Sequence, residues 1–347
     1  MTLTTQILNN YKHIFANDPI IVKAITTASD IPLNATVPQL VIKIVTNGHT
    51  HEIPQQFIPG YTLYVDISSA FQSEYQLIDR QTEPDPSPLL ALGGSATETY
   101  TPITATVTAY VRYLINGTEY TGTEQPVISD IYVLRGGLFT TLRLIAQDPS
   151  SAVSLFASNL TTKPRIPEIK NIGDTHITSS YDTSTHLVTT TATTVLAGSA
   201  SNGILPEESI NRHQIIFRNS LGVYETFSVF SLEKESFDLE SSAYPILTQP
   251  DYSPSVNAYT QATQPVKQYE MSTGFIPKAW ALWFIQEVLT AKYTWMQIPI
   301  SNPTSGDTIM KLVAVHISSD KIEAEDKTKA TLMEVKFEVS IIINDKS

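Results

Sequence analysis

The sequence predicts a mainly β protein, built as two antiparallel β-sandwich-like domains with a few short helices. Three observations predict it. Apolar and polar residues alternate over long stretches, the signature of half-buried strands. Asn-Gly pairs sit between such stretches, where a hairpin turn needs residues that tolerate positive φ. Charged residues are only 16% of the 347-residue chain while hydrophobic ones are 41%, so Thr, Ser, Asn and Gln must supply much of the polar surface. That composition suits an extended β protein whose sheet edges are covered by neighbours.

Taken in order, residues 42–53 (IKIVTNGHTHEI) read as a hairpin turning at Asn47-Gly48, and VDIS at 65–68 ends another strand. Residues 81–101 read as a loop, because the alternating prolines of EPDPSP forbid a regular central strand. Ala105–Tyr113 places apolar or aromatic residues at the odd positions and turns at Asn116-Gly117. The stretches 138–147 and 151–159 are expected to be short helices. Two prolines and mixed charge in TTKPRIPEIK (161–170) mark a domain break, dividing the chain into residues 1–165 and 166–347.

In the second half, residues 174–203 read as a Thr/Ser-rich loop with some strand character. FRNSLGVYETFSV (217–229) reads as a hairpin held by Asn219 and Gly222. Arg218 facing Val223 would place Glu225 diagonally across, near enough for an Arg218–Glu225 pair that helps set register. A helix is expected over 277–290, with Pro277 in its first turn. Trp280 and Phe284 are expected to pack inward on the last strand, where Val335, Phe337, Val339, Ile341 and Ile343 share one face. Trp283 is assigned to a subunit contact. The run DKIEAEDKTK (320–329), with Glu323, Glu325 and Asp326, reads as a solvated loop.

The candidate chemistry is sparse. His49 and His51 share a strand face and could begin a metal site, but no third ligand is recognisable beside them. The carboxylates show no diagnostic spacing, and no nucleophile elbow, phosphate loop, dinucleotide fingerprint or zincin motif occurs. Catalytic, cofactor-binding and metal-binding residues are therefore all expected to be none, and the chain is read as a non-enzyme. The net charge is −12. Without clustered Lys and Arg, neither a phosphate backbone nor an anionic membrane is an expected partner. Cysteine is absent, which excludes disulfides. The N-terminal MTLTTQ is polar, unlike a secretory signal, so synthesis in the cytoplasm is expected.

Several segments together resemble proteins of tailed phages and prophages of Bacteroidota-type bacteria: FASNLTTKPR (156–165), HQIIFRNSLGVYETFSV (213–229), STGFIPKAWALWFIQEVLTAKYTWMQIPI (272–300), the strand pair in 311–341 and, more loosely, FIPGYTLYVDISSAFQ (57–72). The resemblance implies a virion structural protein in a tail, baseplate or connector. Its partners would be further copies of itself and neighbouring virion proteins, and it supplies no catalytic motif. The rival expectation is a receptor- or carbohydrate-binding adhesin, for which Tyr244, Tyr252, Tyr259 and Tyr269 would be the aromatic platforms.

Overall fold

The computed structural model describes residues 3–7, 12–25, 31–32, 34–46, 48–82, 84–89, 95–137, 152–154, 175–194, 212–238, 242–245, 258–261, 266–301, 308–326 and 332–342. The chain is mainly β with several antiparallel sheets. It divides into two units: Met1–Ala157 with Ile177–Thr193 and Asn219–Tyr224, and Ser158–His176 with Thr194–Arg218 and Glu225–Ser347. No described helix is long and apolar enough to cross a membrane.

In the first unit the elements are β1 (Thr4–Ile7), β2 (His13–Phe15), β3 (Ile21–Ile25), β4 (Thr36–Val45), β5 (Thr50–Gln56), β6 (Thr62–Asp66), α1 (Ser68–Gln81), β7 (Ser95–Tyr100), β8 (Ile103–Ile115), β9 (Thr118–Thr121), β10 (Gln125–Leu134), β11 (Ala152–Ser154), β12 (Thr175–Asp182) and β13 (Leu187–Thr194). They form a three-stranded sheet β1-β3-β6, a larger sheet β2-β10-β8-β4-β5 with β9 on β8, and a four-stranded sheet β11-β12-β13-β7. The alternation read in the sequence is realised in β8, where Ala105, Val107 and Ala109 are buried. The Asn116-Gly117 turn takes φ +51° and +81°.

Helix α1 follows β6 directly and was not foreseen. Asp66 starts it: Oδ1 accepts from the Ser68 backbone N–H at 2.9 Å and from that of Ile20 at 3.2 Å. Its apolar face (Ala70, Phe71, Tyr75, Ile78) joins the core made by Ile42, Ile44, Val107 and Val133. Tyr75 donates its hydroxyl to the Val133 carbonyl at 2.7 Å, which satisfies the one polar atom that ring carries into the core.

In the second unit, β14 (Arg212–Arg218), β15 (Tyr224–Asp238), β18 (Val266–Pro277), β19 (Thr294–Ser301), β20 (Thr308–Asp326) and β21 (Leu332–Ile342) close into a barrel in the order β14-β15-β18-β21-β20-β19. Thus the antiparallel sheet of this unit wraps on itself, with β14 pairing β19 to complete the ring. β16 (Ser242–Pro245) and β17 (Ala258–Gln261) form a separate pair. On β21, Val335, Phe337, Val339 and Ile341 of the expected strand face are all buried, while Ile343 lies outside the described residues. Helix α2 (Lys278–Glu287) begins after Pro277.

Four expectations are corrected. Trp283 is only 5% exposed and packs on Phe217 and Phe227, at ring-centre distances of 5.9 and 5.8 Å. It cannot be a subunit contact. Residues three apart on a helix lie only about 60° from each other, so Trp283 shares its face with Trp280 and Phe284. Residues 152–154, read within a helix, form strand β11 paired to β12. The acidic run at 323–326 continues β20, with Glu323 opposite Lys336. The presumed loops at 81–101 and 174–203 contain β7 and β12, while β13 lies in the stretch of the second to which strand character was ascribed. β7 is an edge strand, where a proline-rich approach is tolerated. The expected helix at 138–147 and the break at 161–170 lie outside the described residues.

Candidate functional site

The hairpin singled out in the sequence has a three-residue connection. The Asn219 N–H donates to the Val223 carbonyl at 2.9 Å, and the Val223 N–H donates to Asn219 Oδ1 at 3.2 Å. Asn219 rather than Arg218 therefore faces Val223, one step from the alignment read in the sequence. The Gly222 N–H donates to the Asn219 carbonyl at 2.9 Å and Gly222 has φ +81°. A turn followed by a left-handed glycine is the common three-residue hairpin link. Glycine is also required for space: a Cβ on Gly222 would meet Arg135 Cγ at 2.6 Å and Cβ at 2.7 Å. Of the strands on either side, Arg218 holds its guanidinium 5.5 Å over the Tyr293 ring, and Glu225 is 4% exposed.

The tip of this hairpin forms one wall of a cavity of about 360 Å³, lined by Glu98, Thr99, Tyr100, Thr190, Gly222, Val223 and Tyr224. All seven belong to the first unit. The floor is the β7–β13 ladder. Thr190 pairs with Glu98 and Val188 with Tyr100, so Glu98, Tyr100 and Thr190 share one sheet face by the two-residue period of strands. The Thr190 hydroxyl lies 2.9 Å from that of Ser179. The Tyr100 hydroxyl is buried with no hydrogen-bond partner among the described residues. Burial pushes its pKa up to about 12, an effect that the nearby Arg135 guanidinium reduces. The Tyr224 hydroxyl is also pushed up, first by burial. Arg135 opposes this shift, and the carboxylates of Glu98, Asp85 and Asp79 add to it. Arg135 itself is bound to Asp79 and lies 4.7 Å over the Tyr75 ring.

A second polar cluster joins α1 to the β4–β5 hairpin. Glu74 presents one carboxylate oxygen to His49 Nδ1 at 3.0 Å and the other to His51 Nε2 at 2.5 Å. Glu74 is the residue that the sequence reading missed. Burial raises its pKa, but the hydrogen bonds and charges of His51 and His49 outweigh that, and the net shift is downward. Each imidazole addresses a different oxygen, and no set of three or more His, Cys, Asp or Glu side chains among the described residues is placed to hold a metal. The arrangement ties helix to hairpin through two hydrogen bonds. A third cluster stacks aromatic rings: His186 on Tyr132 at 3.8 Å and His13 on Tyr132 at 5.4 Å, with His13 Nδ1 2.8 Å from the Tyr181 hydroxyl.

The other named residues are structural in position. Trp280 is 5% exposed and lies 6.0 Å from Phe227, and Phe284 is fully buried with its ring 5.3 Å from Phe337 on β21. Tyr269 is 7% exposed and offers no platform, while the side chains of Tyr244, Tyr252 and Tyr259 lie outside the described ones. Comparison with models of protein families, with curated proteins and with solved structures gives no match to this chain.

Proposed function

We propose that the chain is a structural subunit of a tailed-phage particle, in a tail, baseplate or connector, and that it acts by oligomeric packing rather than by catalysis. It would be made in the host cytoplasm and reside in the virion, against other copies of itself and neighbouring virion proteins. The observation that supports this best is the exposed segment between two sheet edges. β5 ends one sheet and β6 ends another. The chain linking them and β6 itself present Ile58, Tyr61 and Tyr64 at 68%, 70% and 57% exposure. Large apolar side chains gathered at strand edges mark an interaction surface. The same segment lies in a stretch that carries the phage resemblance. Light scattering on the purified chain tests the reading. An oligomer that Ile58→Ser with Tyr61→Ser dissociates supports it, and a wild-type monomer at high concentration and in its native setting counts against it.

The second reading, a receptor- or carbohydrate-binding adhesin, draws on the exposed rings of Tyr61 and Tyr64. Saturable glycan binding lost in Tyr61→Ser, with no self-association, would favour it.

A further inference from the structure

The cavity walled by the hairpin tip has a distinct chemistry. Its lining holds one carboxylate (Glu98), four hydroxyls (Thr99, Thr190, Tyr100 and Tyr224), two aromatic rings and no basic side chain. The guanidinium of Arg135, whose side chain lies beside Gly222, is engaged by Asp79 and by the Tyr75 ring. Asp85 adds a further negative charge near Tyr224. Glu98 is thus the one charge in the lining itself, and Arg135, which acts on Tyr100 and Tyr224 from beside the cavity, is matched by Asp79. The Tyr100 hydroxyl has no partner among the described residues, so its oxygen lone pairs are free to accept from a ligand that donates. Aromatic faces beside a carboxylate are the usual setting for a cationic group. The volume of about 360 Å³ is at the small end of small-molecule sites.

We propose that this cavity binds an organic cation, an ammonium or guanidinium group carried on a short aliphatic stem. The cation's N–H groups would donate to Glu98 and to the Tyr100 oxygen, with the stem against the Tyr100 and Tyr224 rings. Two sources share that chemistry: a free amine, or a Lys or Arg side chain of another copy. The binding itself does not rest on the assembly reading.

Titration calorimetry on the full chain tests it, with agmatine and n-butylamine as probes and glucose as a neutral control. Saturable binding of the amines is expected, weakening as salt rises. Glu98→Gln, an exposed edge-strand change, should weaken it about tenfold, the size of one charge-assisted hydrogen bond. Tyr100→Phe keeps the ring and should weaken it a few-fold. No saturable amine binding at concentrations up to about 20 mM, equal binding of glucose, or affinity unchanged in Glu98→Gln overturns the proposal. Light scattering at saturating agmatine separates the sources. Dissociation of an oligomer assigns the cavity to a neighbour's basic side chain, and an intact oligomer assigns it to a free amine. If the chain proves monomeric, the assembly reading fails while the calorimetric result stands.

Discussion

Gly222 holds a left-handed φ of +81° and presses against the Arg135 side chain. Gly222→Val must strain the backbone, at about 1–2 kcal/mol, and push Arg135 aside as well. A loss of about 2 kcal/mol or more is expected in denaturant unfolding, and an unchanged midpoint would deny the hairpin its geometry. His13 gives a pH-dependent prediction. Its pKa is lowered by burial, by His186 and by Lys12; Tyr132 and Tyr181 are its other neighbours. The unfolded chain therefore takes up a proton near the ordinary value of 6.5 that the folded chain resists. Stability is full above that value, falls as pH drops through it, and levels off below the folded pKa. In His13→Phe, which keeps a ring in the stack, the slope of stability between about pH 6.5 and 5 should be smaller. An identical slope in both proteins would contradict the assignment.

Among elements, α2 has the most to lose. Trp280, Trp283 and Phe284 occupy one buried face against Phe217, Phe227 and Phe337. Each truncation to Ala should cost roughly 3–5 kcal/mol, and Trp283→Ala should resemble the other two in a chemical-denaturation series. A Trp283→Ala chain as stable as wild type would return that residue to the surface. This helix was legible in the sequence because its large apolar residues recur at helical spacing after a proline. The face of Trp283 is set by the i, i+3 step from Trp280, which turns it only about 60° from that ring and so into the core rather than toward a neighbouring subunit. Strands β8 and β21 were legible for an equally local reason, a strict two-residue period, which in β8 runs into the Asn116-Gly117 turn. Helix α1 escaped notice because its buried face includes Ser68 and Glu74, which blur the apolar stripe. The third partner of His49 and His51 could not be read from spacing, since Glu74 lies 23 residues beyond His51 and on another element. Barrel closure and the cavity at Glu98 and Tyr224 depend on strand pairings distant in sequence, which no local pattern encodes.

For the whole molecule, assembly is the central claim, and the segment from Ile58 to Tyr64 is where it should show. Two edge strands, β5 and β6, are joined along the chain by an exposed aromatic segment. Head-to-tail contacts whose rotation closes give rings, and ring subunits are what a tail, baseplate or connector requires. The most direct measurement is electron microscopy of the purified assembly or the intact particle, at a resolution that places side chains. The account predicts a closed ring of copies with Ile58, Tyr61 and Tyr64 buried against the neighbouring subunit. Isolated single chains, or an assembly in which those three side chains face solvent, would contradict it.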